Sequence, residues 1–249
     1  MEPWLVIAGV GVAVFLGGIV KGAIGFGMPL VSVPLMAALV DVRIALALAT
    51  VPIFAMNLRQ TFRGGMFPEV MRRLWWLLVA LAAGFAAGGA LLVRLDPELL
   101  LAVVGLVVIV FVITSVTSPE LSLRQSLDRP VGILAGVTGG VLGALTTFFG
   151  PPMIMYLVAI RLPVDLHIAA IGAVWLFGGL LLIGTYASVQ ILTWHLALLS
   201  TACVVPAILG MMLGEWMRTR INQRLFRAAT LFVLFLIGLS LLRHALPWF

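Results

Sequence analysis

The stretch Gly17–Leu30, GGIVKGAIGFGMPL, places a lysine inside an apolar run that extends from Trp4 to Leu39. Lys21 is the only lysine of the chain. An ammonium in hydrocarbon is expensive, so such a residue either performs a task or reaches water. Close behind it stand Gly25, Gly27 and Pro29, residues that a continuous helix disfavours. As one helix, Trp4–Leu39 would be roughly 54 Å long against a hydrocarbon core of about 30 Å. The run is therefore expected to break at this cluster.

A second run behaves the same way. Val131–Ile160 would measure roughly 45 Å as one helix, and it carries the cluster FFGPP at Phe148–Pro152. Of the 249 residues, 63% are hydrophobic and only 10% charged, and the mean hydropathy is +1.24. That is more apolar surface than one globular core can bury, and it points to an all-α polytopic membrane protein. The net charge of +6 would suggest nucleic acid in a soluble chain. Here the arginines fall in short loops between apolar runs, where membrane topology explains them, so no nucleic-acid partner is expected. Cys203 is the single cysteine and reads as a small buried residue. Glu2 stands where a leader peptide would carry positive charge, so the first apolar run is expected to stay in the mature protein.

Eight apolar segments follow one another, at about 4–40, 43–58, 74–93, 99–117, 130–160, 166–187, 191–214 and 225–242. The longest polar interruption, Ser118–Pro130, divides them four and four. The expected organisation is a first transmembrane repeat over 1–117, a cytoplasmic linker over 118–129 and a second repeat over 130–249. The halves match in order. GFGMP (Gly25–Pro29) falls opposite FFGPP, Asp41 with Arg43 opposite Asp165 with His167, and RLDPELL from Arg94 opposite RINQRLF from Arg220.

Arginine placement selects the topology. If every segment crosses once, the arginines divide seven against seven. If the long first segment of each half is a re-entrant-like hairpin returning to its starting side, Arg43, Arg94 and Arg243 lie on one face and the other eleven on the opposite one. The positive-inside rule favours the second arrangement. It makes the halves inverted repeats, with both termini outside and the linker in the cytoplasm.

The clusters carry the chemistry. Proline is favoured at helix starts, so GFGMP and FFGPP read as the beginnings of half-helices inside the membrane. A helix start presents unpaired N–H groups and partial positive charge, which suits an anion. Gly25, Gly27 and Gly150 let a ligand approach the backbone, with Phe26, Pro29, Phe149 and Pro152 completing the two clusters. Lys21 is four residues from Gly25, within reach of an anion held there; the alternative is that it snorkels to the surface. Thr146 and Thr147 offer hydroxyl donors in the second half, or else bond back to helix carbonyls. Asn57 either faces the cavity or joins two helices. His195 beside Trp194 reads as interfacial, and Glu215 with Arg218 as an ion pair. Neither a P-loop, an HExxH, a GxSxG nor a cysteine pair occurs, so no enzyme is indicated.

With these residues in view, the run GGIVKGAIGFGMPLVSVPLM, the second Gly/Pro cluster and the four-plus-four segments resemble the TauE/SafE family of membrane transporters, associated with export of sulfite and organosulfonates. The resemblance covers the whole chain. It departs at the second cluster, where the family tends to show GIGGG and this chain has TTFFGPP. It implies a multi-pass cell (inner) membrane protein that exports a small anionic substrate without a cofactor. The rival readings are an anion channel using the same residues and a membrane-embedded enzyme. The oligomeric state is open, a homodimer among the options.

Cysteines placed at Ser122 and Thr219 should be labelled by impermeant reagent only from the cytoplasm, and one at Asp96 only from outside. A reporter showing the C-terminus in the cytoplasm would restore the single-crossing arrangement.

Overall fold

The computed structural model describes residues 2–25, 27–61, 67–117, 123–218, 220 and 223–245; Phe26, Ser122 and Thr219, named above, lie outside them. Among the described residues there are eleven α-helices, one 3-10 turn at Gln125–Leu127 and no strand. The helices are α1 (Pro3–Ile24), α2 (Met28–Ala37), α3 (Val42–Thr61), α4 (Phe67–Leu92), α5 (Pro97–Thr117), α6 (Asp128–Thr146), α7 (Gly150–Ala159), α8 (Val164–Ser188), α9 (Trp194–Ala202), α10 (Val204–Arg218) and α11 (Gln223–Ala245). Six stretches among the described residues, including α9 and α10 taken together, are long and apolar enough to cross a bilayer. The chain is a multi-pass membrane protein.

Both long runs break at their Gly/Pro clusters. α1 ends where Gly25 turns left-handed (φ 96°), and Gly27 (φ 93°) precedes α2. α6 ends at Thr147 (φ 61°), and α7 begins at Gly150. A third break, within the segment expected at 191–214, separates α9 from α10 at Cys203. No glycine marks it. Pro206 stands four residues after Ala202, and a proline ring crowds the carbonyl four residues back.

The helices group into two compact units. The first holds α1, α2, α3 up to Ile53, α5, α9, α10 and α11. Within it α2 folds back along α1: a Cβ on Gly17 would stand 2.7 Å from the Met28 carbonyl oxygen, and one on Gly9 2.6 Å from a Leu39 methyl. α1 and α10 lie parallel and almost touching. A Cβ on Gly22 would stand 2.1 Å from the Met211 carbonyl oxygen, and one on Gly210 2.1 Å from that of Phe15. Small residues at both positions are what let the backbones meet. α5 and α11 run antiparallel, with Gly105 against Leu241 and Gly238 against Ile109.

The second unit holds the end of α3 with α4, α6, α7 and α8. α4 and α6 form a parallel glycine pair of the same kind, in which a Cβ on Gly140 would stand 2.3 Å from the Leu81 carbonyl oxygen and one on Gly84 2.3 Å from that of Val137. α7 folds back along α6, Met153 lying against Gly139 and Tyr156 against Gly132. The return is fastened where the Leu123 N–H donates to the Ala159 carbonyl (3.0 Å) and the Tyr156 hydroxyl to Asp128.

Pro52 interrupts α3 and withholds the N–H that would have bonded to the Leu48 carbonyl. In the first unit the buried Ser200 of α9 supplies the missing donor: its hydroxyl donates to the Leu48 carbonyl (2.9 Å) and accepts from the Val51 N–H (3.1 Å). Ser200→Ala should cost about 1–2 kcal/mol by leaving that carbonyl unpaired in a dry environment. Adding Pro52→Ala, which restores the N–H, should recover part of the loss in an unfolding titration in detergent. Strict additivity of the two changes would refute the repair.

Candidate functional site

Among the described residues, the first break turns on glycine and proline. The Gly25 N–H donates to the Lys21 carbonyl (2.7 Å), closing the last turn of α1. Gly27 caps α2 in a left-handed conformation that a side chain would resist. Pro29 occupies the second helical position, where a backbone N–H would have had no partner in the helix. Leu30 N–H turns back to the Gly27 carbonyl (3.1 Å), which leaves the Met28 N–H as the first-turn donor at this helix start. Lys21 sits on the last turn of α1, one turn from Gly17 and Gly18, and is 6% exposed. The same arrangement buries Ser32, whose hydroxyl donates to the Met28 carbonyl (2.9 Å). Ser32 was not singled out by sequence; its burial follows from the folding back of α2, which no local pattern announces.

The second break is more crowded. Thr146 donates its hydroxyl proton to the Leu142 carbonyl (2.7 Å) and accepts from the Phe148 N–H (3.2 Å). Thr147 donates its own to the Thr146 carbonyl. Both threonine hydroxyls thus serve the end of α6, the second of the two roles weighed for them. Thr147 holds a left-handed backbone, uncommon for a β-branched residue and costing on the order of 1–3 kcal/mol. The fully buried Tyr186 of α8 donates to the Ala144 carbonyl (2.9 Å), one of the last-turn carbonyls that lack a partner within the helix. At the start of α7, Gly150 leads, and Pro151 with Pro152 removes two first-turn N–H groups. Fewer backbone donors are available here than the sequence suggested.

Phe149 packs into an aromatic cluster, its ring centroid 5.8 Å from Phe85 and 5.5 Å from Trp175, and it covers Gly178. Asn57, 1% exposed, lies on α3 beyond Pro52. Lys21, Gly25, Gly27 and Pro29 belong to the first unit, while Asn57, Thr146, Thr147, Phe149, Gly150 and Pro152 belong to the second. His195 is exposed on the first turn of α9 beside the exposed Trp194. Among the described residues no cluster of histidine, cysteine and carboxylate side chains has the makings of a metal site.

Among the described residues, the buried polar chemistry consists of one lysine, one asparagine, hydroxyls and helix starts. The sequence model of the family described as Sulfite exporter TauE/SafE matches residues 10–241. The chain belongs to the TauE/SafE family. Neither a curated protein nor a solved structure matches it. The family match spans both helix breaks and all but the outermost parts of α1 and α11, so membership rests on the whole architecture of this TauE/SafE protein. The TauE/SafE family is a family of transporters.

Proposed function

We propose that the protein is a carrier of the cell membrane that exports a small anion, a sulfur oxyanion such as sulfite or an organosulfonate. Lys21 and the start of α2 are its charge-bearing contacts, and the start of α7 is the counterpart that the repeat implies. The observation that carries this reading is a buried lysine one turn before a helix break in a chain of the sulfite exporter family. An anion there meets an ammonium together with the Met28 N–H at the positive end of α2.

Inverted repeats belong to the same reading. α5 and α11 are the last helices of the two halves and run antiparallel. α2 and α7 each fold back along the preceding helix. The first helix of each half lies parallel to a helix from the third segment of the other half: α1 to α10, α6 to α4. All three features follow if one half is the other turned over, with each first segment a hairpin returning to its own side.

Lys21→Ala should abolish binding of sulfite and its organic analogues in a thermal-shift screen while the protein stays folded. Lys21→Arg should keep only part, because a planar fork replaces a point charge. Wild-type affinity in the alanine variant would sink the assignment.

Coupling follows from charge. The carboxylates fall at loops or helix ends, and moving one negative charge out of a cell gains about 2.3 kcal/mol per 100 mV. That supports an outward gradient of roughly fiftyfold for a monovalent anion without a coupling ion. Efflux from proteoliposomes should therefore accelerate when the interior is made negative and persist without a pH or sodium gradient. Flux indifferent to the imposed potential, or uptake that requires either gradient, would overturn electrogenic export.

A further inference from the structure

A cavity of about 380 Å³, lined by Glu69, Arg72, Arg73, Trp76, Asp128 and Arg129, opens between the first turns of α4 and α6 in the second unit. It lies at the opposite end of α6 from the break at Thr147. Glu69, Arg72, Arg73 and Trp76 share one face of α4 by their spacing, and Asp128 and Arg129 open α6. Asp128 is already engaged: one carboxylate oxygen meets Arg73 (3.4 Å) and the other accepts from the Tyr156 hydroxyl. Arg72 and Arg129 have no carboxylate within ion-pair distance among the described residues. Three arginines against two carboxylates leave the cavity net positive, with two guanidinium forks uncommitted. The positive-inside rule accounts for arginines at such helix ends, but not for their gathering around one cavity.

The cavity has a floor and an apolar edge. Trp76 packs edge-on against Tyr156 (6.0 Å, 77°), and Gly132 gives the indole room. Just past it on the same two helices, Trp75, Val79, Ile133 and Leu134 are exposed, at 59%, 58%, 47% and 63%. A polar cavity at the end of apolar helices thus sits beside surface fit for acyl chains. We propose that this cavity binds the headgroup of an anionic phospholipid. Arg72 and Arg129 hold the phosphate, Glu69 accepts from headgroup hydroxyls, and the acyl chains run along the exposed apolar residues.

The test uses the full-length protein in mild detergent, with phosphatidylglycerol, phosphatidylcholine and inorganic phosphate as separate probes and native mass spectrometry and thermal shift as readouts. Phosphatidylglycerol should be retained at a saturable one-to-one level and raise the melting temperature, and the other two should not. Arg72→Gln and Arg129→Gln should each weaken retention roughly fivefold, and the pair about thirtyfold. Arg161→Gln, which removes an arginine from a loop outside the cavity, should leave retention unchanged. Equal loss in the Arg161 variant would mean a diffuse charge effect and would overturn the site. So would undiminished retention in both cavity variants. A shift produced by inorganic phosphate as large as that of the lipid would overturn the lipid as its source. Should the double variant fail to fold, the single variants measured against Arg161→Gln carry the same decision.

Discussion

Backbone N–H and C=O groups in hydrocarbon must find partners inside the protein, and the interruptions at Gly25, Thr147 and Pro52 are arranged around that requirement. At the first break, left-handed glycines turn the chain tightly enough for the Lys21 carbonyl to be met by Gly25. At the second, two threonine hydroxyls and Tyr186 attend to the end of α6. At Pro52, a serine from another helix replaces a lost donor. Most of the described prolines sit where a helix has N–H groups to spare, in its first turn, as at the starts of α1, α2, α5 and α7.

The second organising element is close backbone contact. In each unit a parallel pair, α1 with α10 or α4 with α6, meets through glycines so near that a methyl group would collide with a carbonyl. Lipid tails are as apolar as leucine, so such contact and its dispersion energy, rather than the hydrophobic effect, hold these helices together. The glycines of these pairs are thus structural, while those at 25 and 27 are conformational. The chain uses one residue type for two physical reasons.

Much of this was legible in the sequence. The positions of the first two breaks were, because glycine and proline inside an overlong apolar run contradict helix formation on their own. The lysine stood out because charge is rare at that depth. The break at Cys203 was hidden, since Pro206 acts on a carbonyl four residues earlier and leaves no mark where the helix yields. The partners of the glycine helices were not readable either: small residues four apart occur on several helices, and the spacing states that a close neighbour exists without saying which. The threonines of the second cluster were visible as donors, but the direction of their protons depends on how α6 ends. Ser200 carries no local signal at all, because its role is defined by a proline on a different helix.

The pairing of α1 with α10 also has a consequence in time. α1 leaves the ribosome well before α10, so at synthesis rates of about 5–20 residues per second the glycine face of α1 waits roughly ten to forty seconds for its mate. During that interval a lysine-bearing helix must reside in the membrane with its intended neighbour unmade. α2, which follows at once, folds back on α1 through Gly9 and Gly17, beside the Gly18 and Gly22 stripe that awaits α10. α4 waits far less for α6, so the second unit can close while the first is still open. The order of assembly is therefore written into which halves supply which helices, and a protein truncated before α10 would present an open glycine seam to whatever helix passes by.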